Sequence, residues 1–269
     1  MFMFSITHAT HEFQEHYTHV WQQYGGQSHH VDAFLTHKLR HTYGVLDATL
    51  RVVAGEPDIV AEGRAFAREA EIVALWHDIG RLYQVRGDRI LGNKEYEHGN
   101  EAYAMLKNKY PDRLPLLLAI KIHNKFSYDA LFQEDDYQGL DEISQKKALL
   151  LTKIIRDADK IQNLTYDVFD HFESLIAFDV HIYKANSSFM SSEISDRVIE
   201  SFHRGEQVLH RDIRTAADAV LAQYSWCFDI NFSSSRRILS SLGLHQAVCS
   251  ALQRLGVKEE LVHKIPLLV

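Results

Sequence analysis

Apolar residues in this chain recur at three- and four-residue spacing and almost never alternate with a period of two. That pattern suits helices burying one face and does not suit half-buried strands. Only 4 prolines and 13 glycines interrupt 269 residues, which leaves room for long helices. The chain is therefore read as all-α. A helix is expected from Asp32 to Ala54, with Phe34, Leu35, Leu39, Val45, Leu46 and Leu50 inward. Gly55-Glu56-Pro57-Asp58 breaks it. The next helix is expected from Ile59 to His77, with Ala67, Ala70, Val73, Ala74 and Trp76 inward and Gly80 closing it. Further helices are expected from His98 to before Pro111, from Leu114 to about Asn124, and from Glu142 to Phe172 with a stripe of Leu151, Ile154, Ile155, Ala158 and Ile161. Residues 83–97 and 126–140 read as polar loops, and a second helical group covers 193–221 and 233–255. Three segments follow: an N-terminal extension (1–31), a helical core (32–180) and a C-terminal helical extension packed on it (181–269).

The formal charge is −7, with 24% charged and 46% hydrophobic residues. This acidic balance disfavours a broad nucleic-acid-binding face but leaves room for a local pocket holding one phosphorylated small molecule. Cys227 and Cys249 form no CxxC pair, so a disulfide framework and a cysteine zinc site are both disfavoured and a reducing cytoplasm fits. The N-terminus lacks a basic signal-peptide region. No apolar run reaches the roughly 20 residues that span a bilayer. A cytoplasmic protein without membrane contact is expected, and a homo-oligomer is allowed.

Chemistry concentrates in an ordered set of metal-ligating side chains. His77-Asp78 ends an apolar helical run; His41 precedes it, His98 and His123 follow, and Asp157 or Asp159 closes the series. Alone, a His-Asp pair at a helix end is more often a cap or ion pair. His98 alone could face solvent, and His123 could be a satisfied core histidine. His37 and His41, four residues apart, could form a local two-histidine metal pair, whereas the histidines at 8, 11, 16, 19, 29 and 30 lack an ordered carboxylate partner and read as surface. Taken together, four histidines and two aspartates exceed one tetrahedral zinc and suit two metals sharing a carboxylate. His and Asp without Cys fits Mn, Fe, Co, Ni, Zn or Mg. Asp157 and Asp159 diverge by about 200° around a helix, and the apolar stripe between them does not choose.

In Lys38-Leu39-Arg40-His41-Thr42, Ala74-Leu75-Trp76-His77-Asp78-Ile79-Gly80-Arg81, His98-Gly99, Ile122-His123-Asn124-Lys125 and Ile155-Arg156-Asp157-Ala158-Asp159-Lys160-Ile161, the chain resembles the HD superfamily of metal-dependent phosphohydrolases. The likeness runs from about Asp32 to Asn163, and the stretch Trp226 to Phe232 is similar to the C-terminal region of a bacterial HD subgroup. The resemblance implies an HD-type helical bundle with additional C-terminal helices. It makes His41, His77, Asp78 and the late aspartate ligands of one metal, with Asp78 bridging to a second metal held by His98 and His123. The match of Ala158-Asp159-Lys160-Ile161 favours Asp159, with Asp157 supporting it. Asp78 would also orient the nucleophile, Arg81 would touch a substrate phosphate, and Lys125 and Lys160 are weaker candidates for that contact. No Gly-Tyr-Pro follows His123-Asn124-Lys125, which argues against cyclic di-GMP. The implied activity is hydrolysis of a phosphate ester, in a nucleotide or small phosphorylated metabolite, by metal-activated hydroxide. Two rivals remain: an HD-type di-iron oxygenase cleaving a C–C or C–P bond, and a non-catalytic nucleotide-binding regulatory domain.

Overall fold

The apolar spacing becomes helices in a computed structural model that describes residues 5–92, 96–165, 189, 191–263 and 265–269. Ser5 caps α1 (Ile6–Tyr24), its hydroxyl accepting from the His8 amide at 3.2 Å, and Ser28 caps α2 (His29–Gly55) through the Val31 amide in the same way. Pro57 opens α3 (Pro57–Ala61), where its missing N–H costs nothing. The single helix expected over 59–77 is two helices, because Gly63 takes φ 88°, a backbone region that side-chain-bearing residues avoid, before α4 (Gly63–Trp76) runs on. Only His77 and Asp78 separate α4 from α5 (Ile79–Leu82).

The segment read as loop after α5 holds a small hairpin, β1 (Val85–Arg86) and β2 (Arg89–Ile90), with Val85 opposite Ile90 and Arg86 opposite Arg89. Strands of two residues are too short to show alternation in sequence. There follow α6 (His98–Lys109), α7 (Leu114–Ile122), a 3-10 turn at Tyr128–Gln133, α8 (Asp135–Gln138) and α9 (Glu142–Thr165). The expected extension to Phe172 lies outside the described residues, whereas the stripe Leu151, Ile154, Ile155, Ala158 and Ile161 is buried. Leu50 departs from its expected place: it is 46% exposed, on the outer side of α2.

The chain divides into two compact units, Met1–Asp159 and Lys160–Val269. The expected boundary at 180/181 falls outside the described residues. In the first unit α4 packs against α1, α2 and α7, while α6 pairs with α7 and α5. The sequence reading assigns no element to residues 1–31, yet α1 buries Ala9, Phe13 and Val20 in this core. Glu12, 2% exposed, accepts from Lys109 Nζ and Tyr110 Oη at 2.5 Å each. Trp76 is fully buried, stacks on Tyr110 at 5.1 Å and donates its indole N–H to Ala9 O. The residue just before His77 is thus clamped from two sides. Such a buried aromatic contributes about 2–3 kcal/mol through its area alone.

Gly80 does not terminate α4. It sits inside α5, and a Cβ there would lie 2.2 Å from the backbone oxygen of His98. The glycine is needed because α5 and the start of α6 approach backbone to backbone. Gly80→Ala is expected to cost about 1–3 kcal/mol by overpacking and to push His98 out of place. Thermal unfolding and metal titration of the variant check this; an unchanged midpoint with unchanged metal affinity would contradict it.

The second unit contains α10 (Asp196–Arg204), α11 (Ala216–Tyr224), α12 (Ser233–Ser241), α13 (Leu244–Arg254) and α14 (Glu259–Val262). Its polar anchor is Asp218, fully buried at the first turn of α11. The carboxylate accepts from Ser195 N and Oγ at 2.8 and 2.5 Å, Arg214 N at 2.9 Å and Thr215 N at 3.2 Å. Thr215 returns the favour at the Asp218 amide, closing a capping box. Among the described residues no helix is long and apolar enough to cross a membrane.

Candidate metal centre

Two helices of the first unit end on a histidine in the same manner. His77 follows the last residue of α4 and donates Nδ1–H to Ala74 O at 2.7 Å; His123 follows α7 and donates Nδ1–H to Ile120 O at 2.6 Å. Each acceptor is a last-turn carbonyl that the helix leaves without an amide partner. In a neutral ring this bond protonates Nδ1 and leaves an Nε2 lone pair pointing away from the helix. His41 reaches the same place from the middle of α2 and His98 from the first position of α6, and all four rings are buried.

The four Nε2 atoms converge in pairs. His41 and His77 are 3.2 Å apart, and so are His98 and His123. Asp78 lies between the pairs: Oδ2 is 3.7 Å from His41 and 3.8 Å from His77, while Oδ1 is 3.4 Å from His98 and 3.5 Å from His123. Asp159 brings Oδ1 to 3.0 Å from His41 and 4.0 Å from His77. Of the two late aspartates, Asp159 therefore sits at the histidines, and Asp157 is fully buried elsewhere on α9. Asn124 lies 3.4 Å from His98 Nδ1. The atom that faces the ring is the amide nitrogen Nδ2, and the buried Oδ1 of Asn124 has no hydrogen-bond partner among the described residues.

Burial first, then the charge of neighbouring groups, sets the protonation. Burial pushes the His77 pKa down to about 4 and that of His98 well below the usual imidazole value, the latter helped by Arg81. Burial opposes ionisation of Asp78, but Lys38, His77, the neighbouring His123 and Arg81 outweigh it and hold the carboxyl well below its ordinary range. Burial of Asp159 is likewise outweighed, chiefly by its hydrogen bond with His41. The centre thus gathers two ionised carboxylates and four buried imidazoles, of which burial keeps His77 and His98 neutral near neutral pH.

That donor set fits a divalent cation. Facing nitrogens at 3.2 Å need a positive centre between them, and burial disfavours a proton there. At metal–ligand distances of about 2.1 Å, donors on one ion lie roughly 3.0 Å apart in octahedral and 3.4 Å apart in tetrahedral geometry, close to the spacings here. The groups His41–His77–Asp159 and His77–Asp78–His123 each bring their ligand atoms within 4.8 Å of one another.

The cations expected to meet a substrate differ in their surroundings. Arg81 Nε is 3.6 Å from Asp78 Oδ1, and its guanidinium also donates to Gln84 Oε1 at 3.2 Å. Lys125 pairs with Glu97 at 2.5 Å, and Lys160 pairs with Asp229 at 2.6 Å. The sequence reading overlooks Lys38, whose ammonium is 3.0 Å from Asp78 Oδ2 with a side chain only 12% exposed. Its one sequence signal is position: three residues before His41 on α2, it shares that helix face.

Without metal the centre should make stability pH-dependent. His77 takes a proton near pH 6.5 when unfolded and near pH 4 when folded, so between these values the unfolded chain binds more protons. Stability then rises with pH across that window and is lost on acidification, by about 3 kcal/mol for this group. The depressed carboxyl of Asp78 acts in the same direction below its ordinary 3.8. Urea unfolding of chelator-treated protein from pH 7 to 4 tests this; a flat stability profile would refute it.

Residues 39–164 match the family model of the HD domain, a span that holds all six converging side chains. No curated protein and no solved structure matches the chain. Through residues 39–164 the chain carries an HD domain, consistent with the superfamily that its sequence resembles.

Proposed function

We propose that this chain hydrolyses a phosphate ester, in a nucleotide or another small phosphorylated metabolite, with two divalent ions held by six side chains. His41, His77 and Asp159 would serve one ion, His98 and His123 the other, and Asp78 would bridge them. The observation that supports this most is the carboxylate of Asp78: its Oδ2 faces one histidine pair and its Oδ1 faces the other.

When bound, such ions supply hydroxide near neutral pH and neutralise charge on the phosphoryl group. Phosphoryl transfer otherwise asks a protein for positioning and charge rather than covalent chemistry, and this residue set is suited to that. The imidazoles of His77 and His123 are fixed by bonds to backbone carbonyls. Arg81 offers a planar fork for two phosphoryl oxygens and Lys38 a point charge. Both lie beside Asp78, where their positive charge would also be within reach of an anionic substrate bound at that carboxylate's ions. Lys125 and Lys160 would serve only by exchanging Glu97 and Asp229 for phosphate.

The test is turnover of an aryl phosphate and a nucleotide panel with added Mn²⁺, Co²⁺, Ni²⁺ or Mg²⁺. Release of phosphate, abolished in His77→Ala, is expected. The reading fails if the metal-loaded protein is inert on every ester. Bound iron with O₂ consumption on a polyol or phosphonate would instead identify an oxygenase, and nucleotide binding without turnover a regulatory domain.

A further inference from the structure

The guanidinium of Arg156 is 2% exposed on α9, and it is spent on the backbone that follows α7. Nη1 donates to the carbonyls of Ile122, His123 and Lys125 at 3.4, 3.1 and 2.5 Å, and Nη2 donates to that of Phe126 at 3.1 Å. Ile122 ends α7 and its carbonyl also accepts from the Lys125 amide at 3.0 Å, while His123, Lys125 and Phe126 follow the helix, whose negative end the positive charge suits. His123, whose Nε2 faces His98, lies inside the bonded stretch. Three residues along the same helix, Asp159 reaches His41 at 3.0 Å. One turn of α9 thus touches both halves of the centre, through a backbone clamp on one side and a carboxylate on the other.

We infer that Arg156 is a positioning residue for the His98–His123 half: by fixing the backbone of His123 it sets the metal affinity of that half alone. Lysine cannot replace it, because a single ammonium cannot span four carbonyls in a fixed fork. The inference rests on the two-metal reading proposed above. The two fail separately, since a native chain that binds no second ion defeats that reading before any variant is made.

The experiment is titration of the metal-free full chain with Mn²⁺ followed by electron paramagnetic resonance, and with Co²⁺ followed by its visible spectrum, alongside thermal unfolding. Arg156→Lys is expected to weaken one of two ions by about 10–100-fold, the usual effect of removing a ligand's supporting contact, and to leave the other within twofold. The weakening should persist when His41→Ala is added and vanish in a His123→Ala background. Equal weakening of both ions, or unchanged affinities with a lowered unfolding midpoint, would overturn the inference and leave Arg156 a purely structural clamp. Arg156→Gln, which keeps a planar donor, is the second variant. If neither variant folds, the effect is not confined to one half, and the inference is overturned as well.

Discussion

Replacing Asp78 by asparagine is expected to abolish turnover, by about 10³-fold or more, because it removes the carboxylate that, on the proposed function, would bridge the ions and orient the nucleophile. The side chain occupies a central position. Its two oxygens face different histidine pairs, at 3.4 to 3.8 Å. Asparagine keeps the size but removes the negative charge, and its amide nitrogen carries no lone pair for a cation. Both ions should therefore weaken together. His41→Ala and His123→Ala should each weaken mainly one. Metal content by elemental analysis, with affinities by titration, separates these patterns. An Asp78→Asn protein that keeps one ion at native affinity would show the carboxylate to serve a single half.

Asp218→Ala is expected to destabilise the second unit by about 3–5 kcal/mol, which places it among the severest single substitutions. The carboxylate is fully buried and accepts from three backbone amides and one hydroxyl, drawn from Ser195, Arg214 and Thr215. Alanine leaves these donors buried without an acceptor, at roughly 1–3 kcal/mol each before relaxation, and it also removes the capping box of α11. Asp218→Asn should recover only part of the loss, since an amide has one acceptor oxygen for four donors. Denaturant unfolding, with limited proteolysis to locate the opened unit, checks both variants. A loss below about 1 kcal/mol would mean that water or rearrangement satisfies the donors.

What could be read from sequence follows from how far each signal extends along the chain. The stripe of α9 and the starts of α6 and α9 are written in neighbouring residues and lie where spacing places them, whereas α2 begins at His29, three residues before the expected Asp32. The order His41, His77-Asp78, His98, His123 and the late aspartate was likewise readable, because each ligand sits on a recognisable element end or face. Choosing Asp159 over Asp157 needed the resemblance, since helical geometry alone left them equal. Helix α1 escaped because its buried positions are sparse and one is Glu12, whose burial depends on Lys109 and Tyr110 nearly a hundred residues away. Lys38 and Arg156 escaped for the same reason: their partners are 40 and about 30 residues distant. The role of Gly80 was misread because close approach to His98 and a helix stop call for the same residue.

The histidine that ends α4 and the one that ends α7 are each tied to a carbonyl three residues back within their own helix. This makes helix length a ruler. Adding or deleting one residue inside α4 would swing His77 by about 100° around the helix axis, away from the centre, although every packing residue kept its identity. The exposed Gly87–Asp88 turn of the hairpin carries no such constraint. Divergent copies of this gene should therefore accumulate length changes at the hairpin and almost none within the helices that end on His77 and His123.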